Sequence, residues 1–370
     1  MSIAPKLLSC VLVLAAVAAP ASAQSKPAKP RAGAKGGGKT EAPAAPLDPT
    51  VTPALLTLQF AADELPAGLA PGEGVKCISE SAQNYFQDQT FTIKSIPVPL
   101  GKVGQSVVRG SDRVGSVMAY EFDAVVADDT RKFLEKLFWG GEAATAEHPE
   151  ELLVTGRFLV VLSFPQGDET AAALKAQLQP RLAKLAPHDW SEIKPLMQQI
   201  KECYDKHDAS GGIKLLEKNK DKVADHATAQ VMLGDMAGAK EDWKTAQAGY
   251  ARALELHDAG AEHLPGGYPT LCHVLDGLGV ALLRLKREDE AVPVFQREAA
   301  VAKVLGDKKS VSQAEYNYAC ALARTKQFDE SLTALQAAIE ADPSCKDMAA
   351  QDPDFDAARK RPEFKKLLGD

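Results

Sequence analysis

The chain lacks a paired Cys-x-x-Cys, a His-Glu-x-x-His and a Gly-x-Ser-x-Gly. It therefore carries no ready signature of a structural zinc site, a zinc peptidase or a serine-hydrolase elbow. Positive charge is also in deficit. Lys and Arg number 43 against 50 Asp and Glu, and outside the first 52 residues the count is 37 against 48, a net of −11. A body that acidic argues against nucleic acid and anionic lipid as partners. Of the six cysteines, Cys77, Cys203, Cys272, Cys320 and Cys345 are scattered and odd in number beyond Cys10. A chain of this length needs no disulfide framework to fold, and Cys272 and Cys320, flanked by apolar residues on predicted helices, read as buried free thiols.

The apolar run from Leu7 to Ala19 falls short of the roughly 20 residues that a spanning helix requires, so no stable membrane anchor is expected. With Lys6 ahead of it and Ala21-Ser22-Ala23 behind, residues 1–23 read as a signal peptide cleaved before Gln24, and the chain as periplasmic or secreted. Residues 24–52 are almost all Pro, Ala, Gly, Lys and Thr. They cannot bury enough apolar surface to offset the entropy of ordering, and read as a disordered linker. Gly33 to Thr40 matches the phosphate-loop pattern G-x4-G-K-[ST] letter for letter. That chemistry needs a strand before and a helix after, and Pro27, Pro30, Pro43 and Pro46 preclude both. No cofactor is expected.

Residues 53–187 mix strand and helix signals and predict an α+β domain. Gln89–Lys94 and Ser116–Phe122 alternate as half-buried strands do. Asp128-Asp129-Thr130 offers caps to a helix with Phe133, Leu134, Leu137 and Phe138 on one face, closed by Gly140-Gly141. Arg157 to Phe164 is a nearly continuous apolar run, as a strand covered on both faces requires, and a helix bearing Leu174, Leu178, Leu182 and Leu185 follows.

From Trp190 onward strand signals vanish, and a spaced pattern of small and large residues recurs. Leu233-Gly234 is followed by Ala246, Tyr250 and Ala253; Leu278-Gly279 by Ala291 and Phe295; Tyr318-Ala319 by Ser331, Leu335, Ala338 and Pro343. Small residues sit where two helices cross closely and large ones fill the groove beside them. This resembles the tetratricopeptide repeat (TPR) of bacterial exported proteins, over roughly residues 190–370. The copies lie at about 227–260, 272–305 and 312–345 within a repeat region 188–350, with residues 190–220 as a degenerate fourth copy and 351–370 as a capping segment built on Phe355, Phe364, Leu367 and Leu368. The expected fold is thus an α+β N-terminal domain followed by an all-α TPR-like helical-hairpin superhelix.

The resemblance implies a concave face, lined by the first helix of each hairpin, that binds a protein or peptide. On that face fall His273, Asp276, Val280 and Arg284 of one repeat, and Gln313, Tyr316, Cys320 and Arg324 of the next. Arg284 and Arg324 occupy equivalent places and suit a carboxylate-presenting partner; a second copy of the chain is another partner that such a surface admits. Two further motifs are weaker. Lys206 to Glu217 has the glycine and closing glutamate of a calcium loop, but Lys206 stands at the lead ligand position, and the segment reads as an inter-helix turn with Asp208 or Ser210 as cap. His148-Pro149-Glu150-Glu151 reads as a solvated loop. The function expected is that of an exported, non-enzymatic scaffold or adaptor; the alternative is a hydrolase or transferase with its active site in 53–187 and the repeats for recruitment.

Overall fold

The computed structural model describes residues 52–72, 99–122, 124–260, 262 and 264–369, with 99 and 100 in backbone only. The signal-like segment, all of the linker but Thr52, the Gly33–Thr40 match, Cys77 and the strand expected at 89–94 lie outside the described residues. Those described belong to one compact unit, Pro46–Asp370.

Five strands form an antiparallel sheet in the order β1-β2-β3-β5-β4: β1 Ala70–Gly72, β2 Pro99–Arg109, β3 Asp112–Phe122, β4 Glu151–Thr155 and β5 Phe158–Ser163. Every residue of β5 is buried, because alternate side chains enter two different cores. Phe158, Val160 and Leu162 pack with Leu174, Leu178 and Leu182 of a helix over Glu169–Lys184, while Leu159 and Val161 pack with Leu134 and Phe138 of a helix over Asp128–Trp139. In chain order these helices are α2 (Asp128–Trp139) and α3 (Glu169–Lys184), after a single turn α1 (Pro53–Leu56). Helices thus cover both faces, which is why this strand's apolar run is continuous rather than alternating. Gly140, in the left-handed region, ends α2; its N-cap is Ala127, and Asp128 and Asp129 lie in the first turn instead, where they favour the helix dipole.

The expectation for 148–151 needs correction. Glu150 is 1% exposed and leads directly into β4, and its carbonyl accepts a hydrogen bond from Trp139 Nε1 at 2.8 Å. Of the four residues, Glu150 is buried, His148 and Pro149 are half-buried, and Glu151, the first residue of β4, is exposed, so the loop is solvated only in part.

Four helical hairpins follow: α4/α5 (Lys194–Asp205, Ala209–Lys218), then, past a short α6 (Lys220–Val223), α7/α8 (Ala227–Ala239, Trp243–Asp258), α9/α10 (Tyr268–Arg284, Glu288–Leu305) and α11/α12 (Lys308–Arg324, Phe328–Ala341). All four turn in the same way. His207, Glu241, Lys286 and Lys326 each adopt a left-handed φ of 55 to 64°. The next residue's N–H donates to the carbonyl five back, at 2.8 to 2.9 Å, in each case. This is the Schellman closure, which satisfies the last carbonyls of the first helix. Its fourfold repetition, at separations of 34, 45 and 40 residues, includes the degenerate copy. The segment 206–217 is therefore a hairpin turn: Asp208 accepts from Gly211 N–H at 2.9 Å, and 209–217 are helical.

Within the hairpins the small residues meet large ones. A Cβ on Gly234 would lie 2.7 Å from the Tyr250 ring, and one on Gly279 2.5 Å from Phe295. In the last hairpin Ser331 Oγ donates to the Ala319 carbonyl at 2.8 Å. Ala246, Ala253, Ala291, Leu335 and Ala338 are buried, Leu278 nearly so, Leu233 half-buried, and Pro343 precedes helix α13 (Ser344–Gln351). Phe355, and Phe364 of α14 (Pro362–Leu368), are buried against the last hairpin, with Tyr316 edge-on to Phe355 at 5.8 Å. Among the described residues no helix is long and apolar enough to cross a membrane.

Candidate functional site

The first helices α4, α7, α9 and α11 stand side by side, and one polar ribbon runs across them. It begins at Asp235 on α7. One of its oxygens, Oδ1, accepts from Tyr250 at 2.6 Å and bonds His273 Nε2 at 2.8 Å; Oδ2 accepts from Tyr204 at 2.7 Å. A single carboxylate thus ties three successive hairpins together. Burial opposes its ionisation, but the hydrogen bonds and charge of His273 and the two hydroxyls prevail and hold it below the ordinary carboxylate range. The bond to Asp235 in turn raises His273 above the ordinary imidazole value, against the opposing effect of burial.

The ribbon continues at Asp276, which accepts from Asn317 Nδ2 at 2.7 Å and hydrogen-bonds Gln313. It ends around Asp352, which accepts from Tyr316 at 3.0 Å and from Cys320 at 3.8 Å. Beside these, Arg324 pairs with Glu288 at 2.8 Å and Asp354 at 3.1 Å. The sequence-derived residues His273, Asp276, Gln313, Tyr316 and Arg324 therefore all make polar contacts between elements, in successive clusters around Asp235, Asp276, Asp352 and Arg324. Arg284 is exposed and makes no ion pair among the described residues; its guanidinium lies 5.5 Å from the Trp243 ring, and its charge acts on Asp354 from a distance.

The two arginines do not form the matched open pair that their equivalent positions suggest. Arg324 meets carboxylates that arrive from α10 and from the segment after α13, and only Arg284 is left facing solvent. The sequence alone does not mark the other members of the ribbon, Tyr204, Asp235, Asn317, Asp352 and Asp354. A regularly spaced polar residue on the face opposite the apolar stripe was the only available signal, and it is shared by every solvated helix face.

Cys320, Asp352 and Asp354 place one ligand atom each within 4.8 Å of one another. Arg324 occupies the charge of Asp354, and Tyr316 and Cys320 that of Asp352, so the cluster is already an ion-paired and hydrogen-bonded knot. The thiols of Cys203, Cys272, Cys320 and Cys345 are all free, with Cys272 half-buried rather than fully buried.

Among the described residues, the two larger of three concavities lie elsewhere. One, of about 560 Å³, sits beside Phe60 and Gln105, and its two charged groups, Arg181 and Glu64, pair with each other at 2.6 Å. The other, of about 650 Å³, opens where the sheet layer meets the hairpins. There Trp190 lies between His188 and His226, at centroid distances of 4.1 and 4.8 Å, and donates from Nε1 to Glu262 at 2.6 Å.

No family model matches the chain, and no curated protein matches it. Among solved structures it is similar to YrrB, described as a TPR protein with an unusual peptide-binding site, at 22% identity over 48% of this chain and 82% of that one, with a TM-score of 0.38. It is also similar to MamA (41-end) from Desulfovibrio magneticus RS-1, at 18% identity over 48% of this chain and 94% of that one, with a TM-score of 0.34. At such scores the likeness adds no weight to the fourfold turn geometry and the glycine–aromatic crossings. The hairpin stack is TPR-like. The whole chain is an antiparallel α+β layer followed by that stack.

Proposed function

We propose that this chain is an exported scaffold that holds a protein or peptide along the concave, first-helix face of its TPR-like stack. The observation that carries the reading is the series of polar clusters around Asp235, Asp276 and Arg324, whose bonds between hairpins hold side chains of all four in place. Such preorganised groups lose little side-chain entropy when a ligand docks. A partner's carboxylate is taken by Arg284, whose charge meets no carboxylate in an ion pair among the described residues; Arg324 joins only by giving up Glu288 or Asp354.

With a partner recovered on the immobilised full chain, Arg284→Ala weakens binding about tenfold or more, the loss of one charge-assisted hydrogen bond. Added salt weakens the wild type more than the variant, because screening acts on the contact that the variant lacks. Equal affinity with an equal salt response would remove the carboxylate from the reading. Export has its own check. N-terminal sequencing of the protein recovered from expressing cells should begin at Gln24, and a chain that still begins at Met1 or Ser2 refutes cleavage.

A further inference from the structure

Glu298, on α10, is 3% exposed, and its Oε2 meets no hydrogen-bond donor. Asp276 of α9 acts on it electrostatically, and Asn317 of α11 hydrogen-bonds both carboxyls. Two acids from two helices therefore meet with a single amide from a third helix between them. Next to Glu298 on α10, Ala299 and Ala302 pack with Ala314 and Val311 of α11 in a small apolar cluster.

Among the described residues no cation is ion-paired with either carboxyl, although the charge of His273 favours ionisation of Asp276 and is outweighed there by burial. Arg297, next to Glu298 in the chain, is bidentate to Asp258 at 2.6 and 2.7 Å. Lys303 of the same helix pairs with Glu315 at 2.5 Å, and His273 is held by Asp235 at 2.8 Å. Gln313 and Asn317 are neutral amides, and burial pushes the Cys272 thiol up to about 12, so it too is neutral. Two neighbouring carboxyls in a poorly solvated site, neither in an ion pair and with His273 bonded to Asp235 instead, cannot both ionise near neutral pH.

We propose that Asp276 and Glu298 hold one proton between them at neutral pH, which makes the packing of α9 and α10 against α11 a proton-dependent contact. Burial, together with the charge of Asp276, moves Glu298 well above the ordinary carboxyl range, and burial raises Asp276 as well. Loss of the shared proton places two negative charges behind the ribbon, where they repel across the hairpins. The unfolded chain releases its carboxyl protons near pH 4, whereas the folded pair keeps one. Stability therefore falls as pH rises from about 4 to the raised folded value and stays low above it. This inference does not rest on partner binding, and fails or stands separately from it.

The test uses the full chain, with E298Q and D276N as near-isosteric variants. Infrared difference spectra at pH 7 should show a protonated-carboxyl C=O band in the wild type that E298Q lacks. D276N should lose the band at lower pH than the wild type, because Glu298 then has no like charge beside it. Between pH 5 and 7 the unfolding constant of the wild type should rise relative to E298Q by up to tenfold per pH unit, the limit for one proton. A wild-type spectrum without that band, or a ratio of unfolding constants independent of pH, overturns the proposal. If E298Q does not fold, the pH at which D276N loses the band decides instead: a value equal to the wild type's refutes the shared proton.

Discussion

Gly279→Leu is expected to lower the stability of the chain by about 3 kcal/mol, at the upper end of what overpacking costs. The first added atom, a Cβ, would stand 2.5 Å from the ring of Phe295, and its neighbours on that ring lie at 2.6 and 2.8 Å. Phe295 is fully buried in the central apolar cluster of the stack, so its ring has nowhere to swing. Helices α9 and α10 must then part, with loss of dispersion contacts along their length. Gly279→Ala, which adds the clashing carbon alone, should cost less but still about 1 kcal/mol. Urea denaturation followed by far-ultraviolet circular dichroism reads both. Unchanged midpoints would mean that α9 and α10 do not cross where the spacing of Leu278-Gly279, Ala291 and Phe295 puts them.

Removal of the Arg157 guanidinium is expected to cost about 3–5 kcal/mol, because it leaves a buried carboxylate without a counter-ion. Glu121, on β3, is fully buried and Arg157 is 5% exposed; Nε donates to Glu121 Oε1 at 2.8 Å. Thr52 donates to the other oxygen at 2.6 Å. The same guanidinium reaches out of the sheet layer to the carbonyls of Glu262 at 2.9 Å and His257 at 3.4 Å, at the end of α8 and beyond it. Arg157 therefore ties the sheet to the second hairpin while it neutralises Glu121. Arg157→Met, measured by denaturant midpoint, should show the full loss. Paired with Glu121→Leu it should regain a large part, since apolar residues of similar volume can replace a buried ion pair at little cost. The part not regained reports the two carbonyl bonds. A single substitution with an unchanged midpoint would refute the Arg157–Glu121 pair as a stabilising tie.

Several features of this fold were legible before any coordinates. The apolar run before Phe164 announced a strand covered on both faces, and the leucines from Leu174 to Leu185 announced the helix that covers one of them. The glycine and aromatic spacing placed three hairpins. The fourth, over α4/α5, is fainter, because its glycine, Gly212, faces Cys203 of the same hairpin and Met236 of α7 rather than an aromatic ring. β2 was not named at all. Its Leu100-Gly101-Lys102-Val103-Gly104 stretch has little side-chain alternation, and it is a strand because β3 offers it a ladder of hydrogen bonds.

What the sequence by itself determined is the hairpin. Its features depend on side chains three, four or a dozen positions apart, which local helical geometry brings together regardless of what surrounds them. Only the tertiary structure decided the chemistry of the ribbon. Asp235 draws its partners from 15, 31 and 38 residues away, and Arg324 from 30 and 36. No periodicity encodes such pairs, because they depend on how far one hairpin rotates as it packs on the next. That rotation closed Arg324 onto its own carboxylates and left Arg284 in water. It also brought Glu298 beside Asp276 with no ion pair to either among the described residues, since in a stack each buried charge is answered only by the helices that happen to touch it.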